Sequence, residues 1–174
     1  LPEILSARGF STGAVSESSV VRATPSSHNQ TGRFGRGFDH FDEGCFNPDF
    51  AYDAACVNEH AVQMLERLEP PFFLYLHYME THSPYSAPSS FGSPFTDPDY
   101  AGPIDGSHEQ LDAILKGELS PNAADRAQLE ALYDQELAYF DSQFGALLSM
   151  LESDGLLDDT LVVFSSDHGE EFFD

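Results

Sequence analysis

Two short apolar runs constrain this chain more than any other feature. Phe72-Phe73-Leu74-Tyr75-Leu76 and Thr160-Leu161-Val162-Val163-Phe164-Ser165 each follow a stretch with helical periodicity, and each ends in a concentration of charged residues and histidines. Runs this short, rich in aromatic and β-branched residues, read as buried strands. Helix, short turn, apolar strand and then ligand-type residues is the rhythm of an α/β fold. In such folds ligands bind beyond the carboxyl ends of the strands.

The rest of the chain supports that rhythm. Leu1 to Arg8 reads as a short helix, with Pro2 in its first turn and Gly9 past its end. A strand follows at Ser11 to Val15. Residues 24–44, rich in Ser, Gly and Asn, read as irregular. From about Asp53 to Leu68, Val57, Ala61, Met64, Leu65 and Leu68 fall on one helical face, and Pro70-Pro71 stops the helix. Residues 83–121 hold six of the eleven prolines and read as a long loop facing substrate. The longest helix is expected from about Asn122 to Ser153, with Ser120 as N-cap and Pro121 at its first position. Its apolar stripe comprises Leu129, Leu132, Tyr133, Leu137, Phe140, Phe144, Leu147, Leu148 and Leu151.

Charge and cysteine content exclude several classes. Seven Lys plus Arg against thirty Asp plus Glu leave a net charge of −23. So acidic a surface suits neither nucleic acid nor anionic lipid, and would suit a high-salt habitat as well as an ordinary one. No apolar run approaches the length of a membrane span. Cys45 and Cys56 are too few for a disulfide framework or a four-cysteine zinc site, and read as structural, buried thiols. Asn29-Gln30-Thr31 matches a glycosylation sequon, a pattern common by chance.

The chemistry is expected at the two strand ends. After the first come His77-Tyr78-Met79-Glu80-Thr81-His82-Ser83-Pro84. His82, on a turn restricted by Pro84, could donate to an anionic substrate or act as a general acid; a surface histidine is the plainer alternative. After the second come Asp167-His168-Gly169-Glu170-Glu171. A carboxylate beside an imidazole is half of a metal site. Asp167 could equally cap a helix starting at Gly169.

These residues, in this order, resemble the sulfatase family of the alkaline phosphatase superfamily. The likeness runs through Leu1 to Thr12, Phe72 to Tyr85, Tyr133 to Asp141 and, most specifically, Gly155 to Glu170. It implies a three-layer α/β/α sandwich with a largely parallel sheet, and a chain that is an internal fragment of a catalytic domain spanning 1–174. It implies that Asp167 and His168 are metal ligands, and that His82 contacts the sulfate ester and protonates the leaving oxygen. The implied cofactors are one divalent ion (calcium, or manganese, zinc or magnesium) and a formylglycine nucleophile. The family's Cys-x-Pro-Ser-Arg segment that supplies it is not found here and is expected before Leu1, so the fragment alone is expected to be inactive. The implied partner is a sulfate-ester small molecule or carbohydrate, and a periplasmic or extracellular location would follow relatives. Phosphodiesterases, phosphonate hydrolases and phosphoethanolamine transferases share the Asp-His-Gly-Glu strand end. A non-catalytic binding homologue is the reading from another class.

Overall fold

The computed structural model describes residues 1–172. Two compact units divide the chain after Ser86.

The first unit is built on a wholly parallel three-stranded sheet. Its elements are α1 (Pro2–Ser6), β1 (Ser11–Ser16), β2 (His40–Asp42), α2 (Ala54–Leu65) and β3 (Phe72–His77), with strand order β2-β1-β3. Register sets Gly13 opposite His40 in one pair, and Ser11 opposite Phe72 through Ser16 opposite His77 in the other. β1 is the central strand and is buried along nearly its whole length, with Ala14 and Val15 fully enclosed. Residues 24–44, expected to be irregular, supply β2. Thr12 fixes it: its amide and hydroxyl both donate to Asp39 Oδ2, at 2.8 and 3.0 Å. Those donors hold the Asp39 carboxyl below its ordinary value.

Period-two alternation sorts β3 onto two faces. Phe72, Leu74 and Leu76 pack against the core formed by Val15, Val57, Met64 and Leu68. Phe73 and Tyr75 face the other way, against Phe38, with ring centroids 5.9 and 6.4 Å apart. Asp53 caps α2 by accepting the Ala55 amide at 3.1 Å. Gly13 lets that helix approach the sheet, since a Cβ there would lie 2.8 Å from Met64 Cγ. Cys45 and Cys56 are not the buried thiols expected. They form a disulfide with Cα atoms 5.8 Å apart, joining the segment after β2 to the first turn of α2.

The second unit holds α3 (His108–Leu115) and α4 (Ala123–Ser153). α3 lies inside the stretch read as loop. Ser107 caps it, its side chain accepting the Gln110 amide. The cap of α4 is Asn122 rather than Ser120, in a reciprocal capping box with Asp125. The expected stripe is only partly buried. Leu129, Leu147 and Leu151 are enclosed, but Leu137 is exposed, while Gln135, Glu136 and Tyr139 are buried.

The larger correction concerns Thr160 to Ser165. Among the described residues this run pairs with no strand, and Leu161 and Val163 are 87% and 79% exposed. Phe164 instead rests on α4, with its centroid 5.4 Å from Phe144 and 5.9 Å from Phe140. An apolar run has strand propensity, but its backbone bonds need a neighbouring strand, and no strand pairs with it among the described residues.

Candidate active site

β1 and β3 run parallel, so their carboxyl ends deliver their next residues to one place. Glu17 follows β1, and its amide bonds to the His77 carbonyl at 3.4 Å. Its side chain is 1% exposed. Oε1 accepts the Met79 amide at 2.6 Å, and Oε2 accepts the Asp53 amide at 3.1 Å. One carboxylate thus ties the loop after β3 to the cap of α2. Burial pushes the Glu17 carboxyl up, against the pull of those two amides. Glu80 is itself 7% exposed.

Two phenols share this environment. Burial, and then the Glu17 charge, pushes the Tyr52 hydroxyl up to about 12. Tyr78 is raised for the same reason, burial first and then Glu80 and Glu17. Its hydroxyl donates to Asn58 Oδ1 at 2.7 Å. Both phenols stay neutral donors.

His82 sits at the rim of this cluster. Its amide donates to the Met79 carbonyl at 2.9 Å, closing a turn that carries Thr81 at φ +76°. Its ring meets Tyr52 edge to face, with centroids 5.9 Å apart. Nδ1 lies 2.7 Å from the Ser83 carbonyl. A carbonyl can only accept, so Nδ1 carries the hydrogen, and Nε2 on the solvent-exposed ring is the position open to a ligand.

In the second unit Asp167 and His168 are exposed, with side-chain accessibilities of 88% and 76%. His168 Nδ1 lies 2.7 Å from the Gly169 carbonyl, so it too donates there, and Nε2 lies 3.8 Å from Asp167 Oδ1. That carbonyl, and next the Asp167 charge, raises the imidazole above its ordinary value. A metal ion at Nε2 would compete with a proton. The helix-cap alternative for Asp167 is overturned: residues 169–172 are not helical. A carboxylate oxygen 3.8 Å from an imidazole nitrogen fits two ligands of a divalent ion, and imidazole leans toward a transition metal. Among the described residues they belong to no group of three or more converging ligands; that group is Cys45, Cys56 and His60.

Glu17 was missed by sequence reasoning. It stands at a strand end, the same signal that drew attention to His82. A lone acid after Ser16 gave no hint that two amides distant in sequence would close on it.

A parallel α/β sheet with polar side chains gathered at its strand ends defines an enzyme-type architecture. The sulfatase family model matches residues 1–174, and the chain belongs to that family. It is 30% identical over 125 residues to an arylsulfatase of Clostridium perfringens, covering 66% of this chain and 25% of that protein. It is 27% identical over 144 residues to the multifunctional alkaline phosphatase superfamily protein PehA of Trinickia caryophylli, covering 70% and 28%. Human iduronate 2-sulfatase is 28% identical over 134 residues, covering 64% and 24%. The chain therefore spans about a quarter of the length of these relatives. Its fold is similar to that of the lipoteichoic acid synthase LtaP of Listeria monocytogenes, with a TM-score of 0.50 at 19% identity, over 91% of this chain and 34% of that one. No helix among the described residues is long and apolar enough to cross a membrane.

Proposed function

We propose that this chain is part of the catalytic domain of a metal-dependent hydrolase that cleaves sulfate esters, and that it contributes the leaving-group histidine and two metal ligands. The observation that carries the reading is His82. It stands just beyond the carboxyl end of β3, with Nδ1 held by Ser83 on a solvent-exposed ring. Protonated, Nε2 can donate to the ester oxygen as its bond to sulfur breaks. The Tyr52 edge and the Met79 turn fix the ring's direction, which makes the donor ready before substrate arrives. Asp167 and His168 Nε2 would hold a divalent ion, whose contribution is Lewis-acid polarisation of the ester oxygens. The formylglycine nucleophile expected of the family would come from outside these residues. Likeness to an arylsulfatase and to iduronate 2-sulfatase supports sulfate esters as the substrate class.

Likeness to PehA favours one second reading, a phosphoryl ester hydrolase built on the same residues. Assay of the protein that carries this chain against matched aryl sulfate, aryl phosphate and phosphodiester substrates ranks the two. In that protein His82→Ala should lower kcat by about 10²–10⁴ with metal content retained. Asp167→Ala should lose the metal. An Asp167→Ala protein with full metal content and activity refutes the assignment.

A further inference from the structure

We propose that Cys45, Cys56 and His60 form a second metal site, open only when the disulfide is reduced, that takes zinc or a similar thiophilic cation. One ligand atom from each residue lies within 4.8 Å of the others. The local fold explains the convergence. Cys56 and His60 are four residues apart on α2, so their side chains share a face. The disulfide brings Cys45 to that face.

The histidine is already oriented. Its Nδ1 lies 3.0 Å from Asp42 Oδ2, at the end of β2. The carboxylate accepts, so Nδ1 carries the hydrogen and Nε2 is the nitrogen available to a cation. Asp42 is anchored in turn, since its Oδ1 accepts the Gly44 amide at 2.7 Å. A carboxylate behind a ligating imidazole is the usual means of fixing its tautomer and raising its basicity. Gly44 completes the seat. A Cβ there would lie 2.5 Å from His60 Cε1, so only glycine lets the ring lie against the backbone. Two thiolates and one imidazole are a zinc donor set, with a fourth position left to water. Two thiolates also cancel the charge of the ion, leaving Asp42 as the outer anion.

The chemistry balances with an external dithiol as reductant. Two electrons and two protons pass to the Cys45–Cys56 bond, which opens to two thiols while the dithiol closes to its own disulfide. Zinc then replaces the two thiol protons, which leave to solvent, and takes the lone pair of His60 Nε2. The oxidised chain has no thiolates and no site. The same residues therefore serve as a covalent staple under oxidising conditions and a metal staple under reducing ones.

Cobalt(II) is the probe, because thiolate-to-cobalt charge-transfer absorption reports sulfur ligation and is silent for an oxygen and imidazole site such as one at Asp167 and His168. The intact protein is folded oxidised, reduced with a dithiol, freed of excess reductant and titrated. One equivalent of charge-transfer band is expected in reduced protein and none in oxidised protein. Cys45→Ser and Cys56→Ser should each abolish the two-thiolate band. His60→Ala should weaken binding at least tenfold, and Asp42→Asn about 10–100-fold. The histidine and aspartate variants keep the disulfide, so they fold before reduction, and circular dichroism follows them through it. Absence of the band in reduced wild type overturns the site. So does a band of unchanged affinity in His60→Ala, which would mean adventitious binding to two thiols.

Discussion

Replacing Glu17 tests the strand-end arrangement most directly. Glu17→Ala removes the acceptor of two buried amides, Met79 and Asp53. A buried donor left unsatisfied costs about 1–3 kcal/mol, so the pair costs about 2–6 kcal/mol. Taking about 4 kcal/mol and a urea slope of about 2 kcal/mol per molar, the midpoint of this unit falls by about 2 M. Hydrogen exchange reads the same loss locally. At tenfold per 1.4 kcal/mol, exchange at Met79 and Asp53 should accelerate by up to about 10³. Glu17→Gln keeps one carbonyl acceptor and should cost about half as much. It also carries a pH signature. The folded-state carboxyl is raised above its ordinary 4.5. Its contribution is therefore fully present below pH 4.5 and declines as pH rises through the folded value. Glu17→Gln should remove that slope. Wild-type exchange rates at both amides in Glu17→Ala would refute the bridging role, and an unchanged slope in Glu17→Gln would refute the effect of burial.

Two further expectations follow from the same unit. Reducing the Cys45–Cys56 bond, which spans 11 residues, should cost about 3 kcal/mol in the absence of metal, read as a lowered urea midpoint. Glu43 should behave opposite to Glu17 in acid. Although burial works against its charge, the hydroxyl and amide of Thr24, the Arg22 guanidinium and the Ala23 amide hold its carboxyl below 4.5. Its stabilisation is present above pH 4.5 and is lost as pH falls through the lower folded value. Glu43→Gln should flatten that acid limb in pH-dependent unfolding, and an unaltered limb would count against the cluster.

Much of this protein is written locally. Apolar spacing and prolines marked α1, β1, α2, β3 and α4, because helical period, Pro2 and Pro70-Pro71 act within a few residues. The segments resembling sulfatases lie within contiguous stretches, so family membership was legible as well. α3 was legible in principle from Ser107 and the helix-forming run after it, but the surrounding prolines pointed to loop. Other features depend on residues distant in sequence. β2 is three residues long and exists because Thr12 and Asp39, 27 residues apart, hold it to β1. The Cys45–Cys56 bond and the seat of His60 depend on α2 lying against the segment after β2. Glu17 meets Met79 across 62 residues only through the parallel register of β1 and β3. Thr160 to Ser165 has the composition of a strand and no strand partner among the described residues. Helices satisfy their backbone groups internally, so sequence decides them. Strands, disulfides and buried carboxylates are completed by distant groups, so only the tertiary structure decides those.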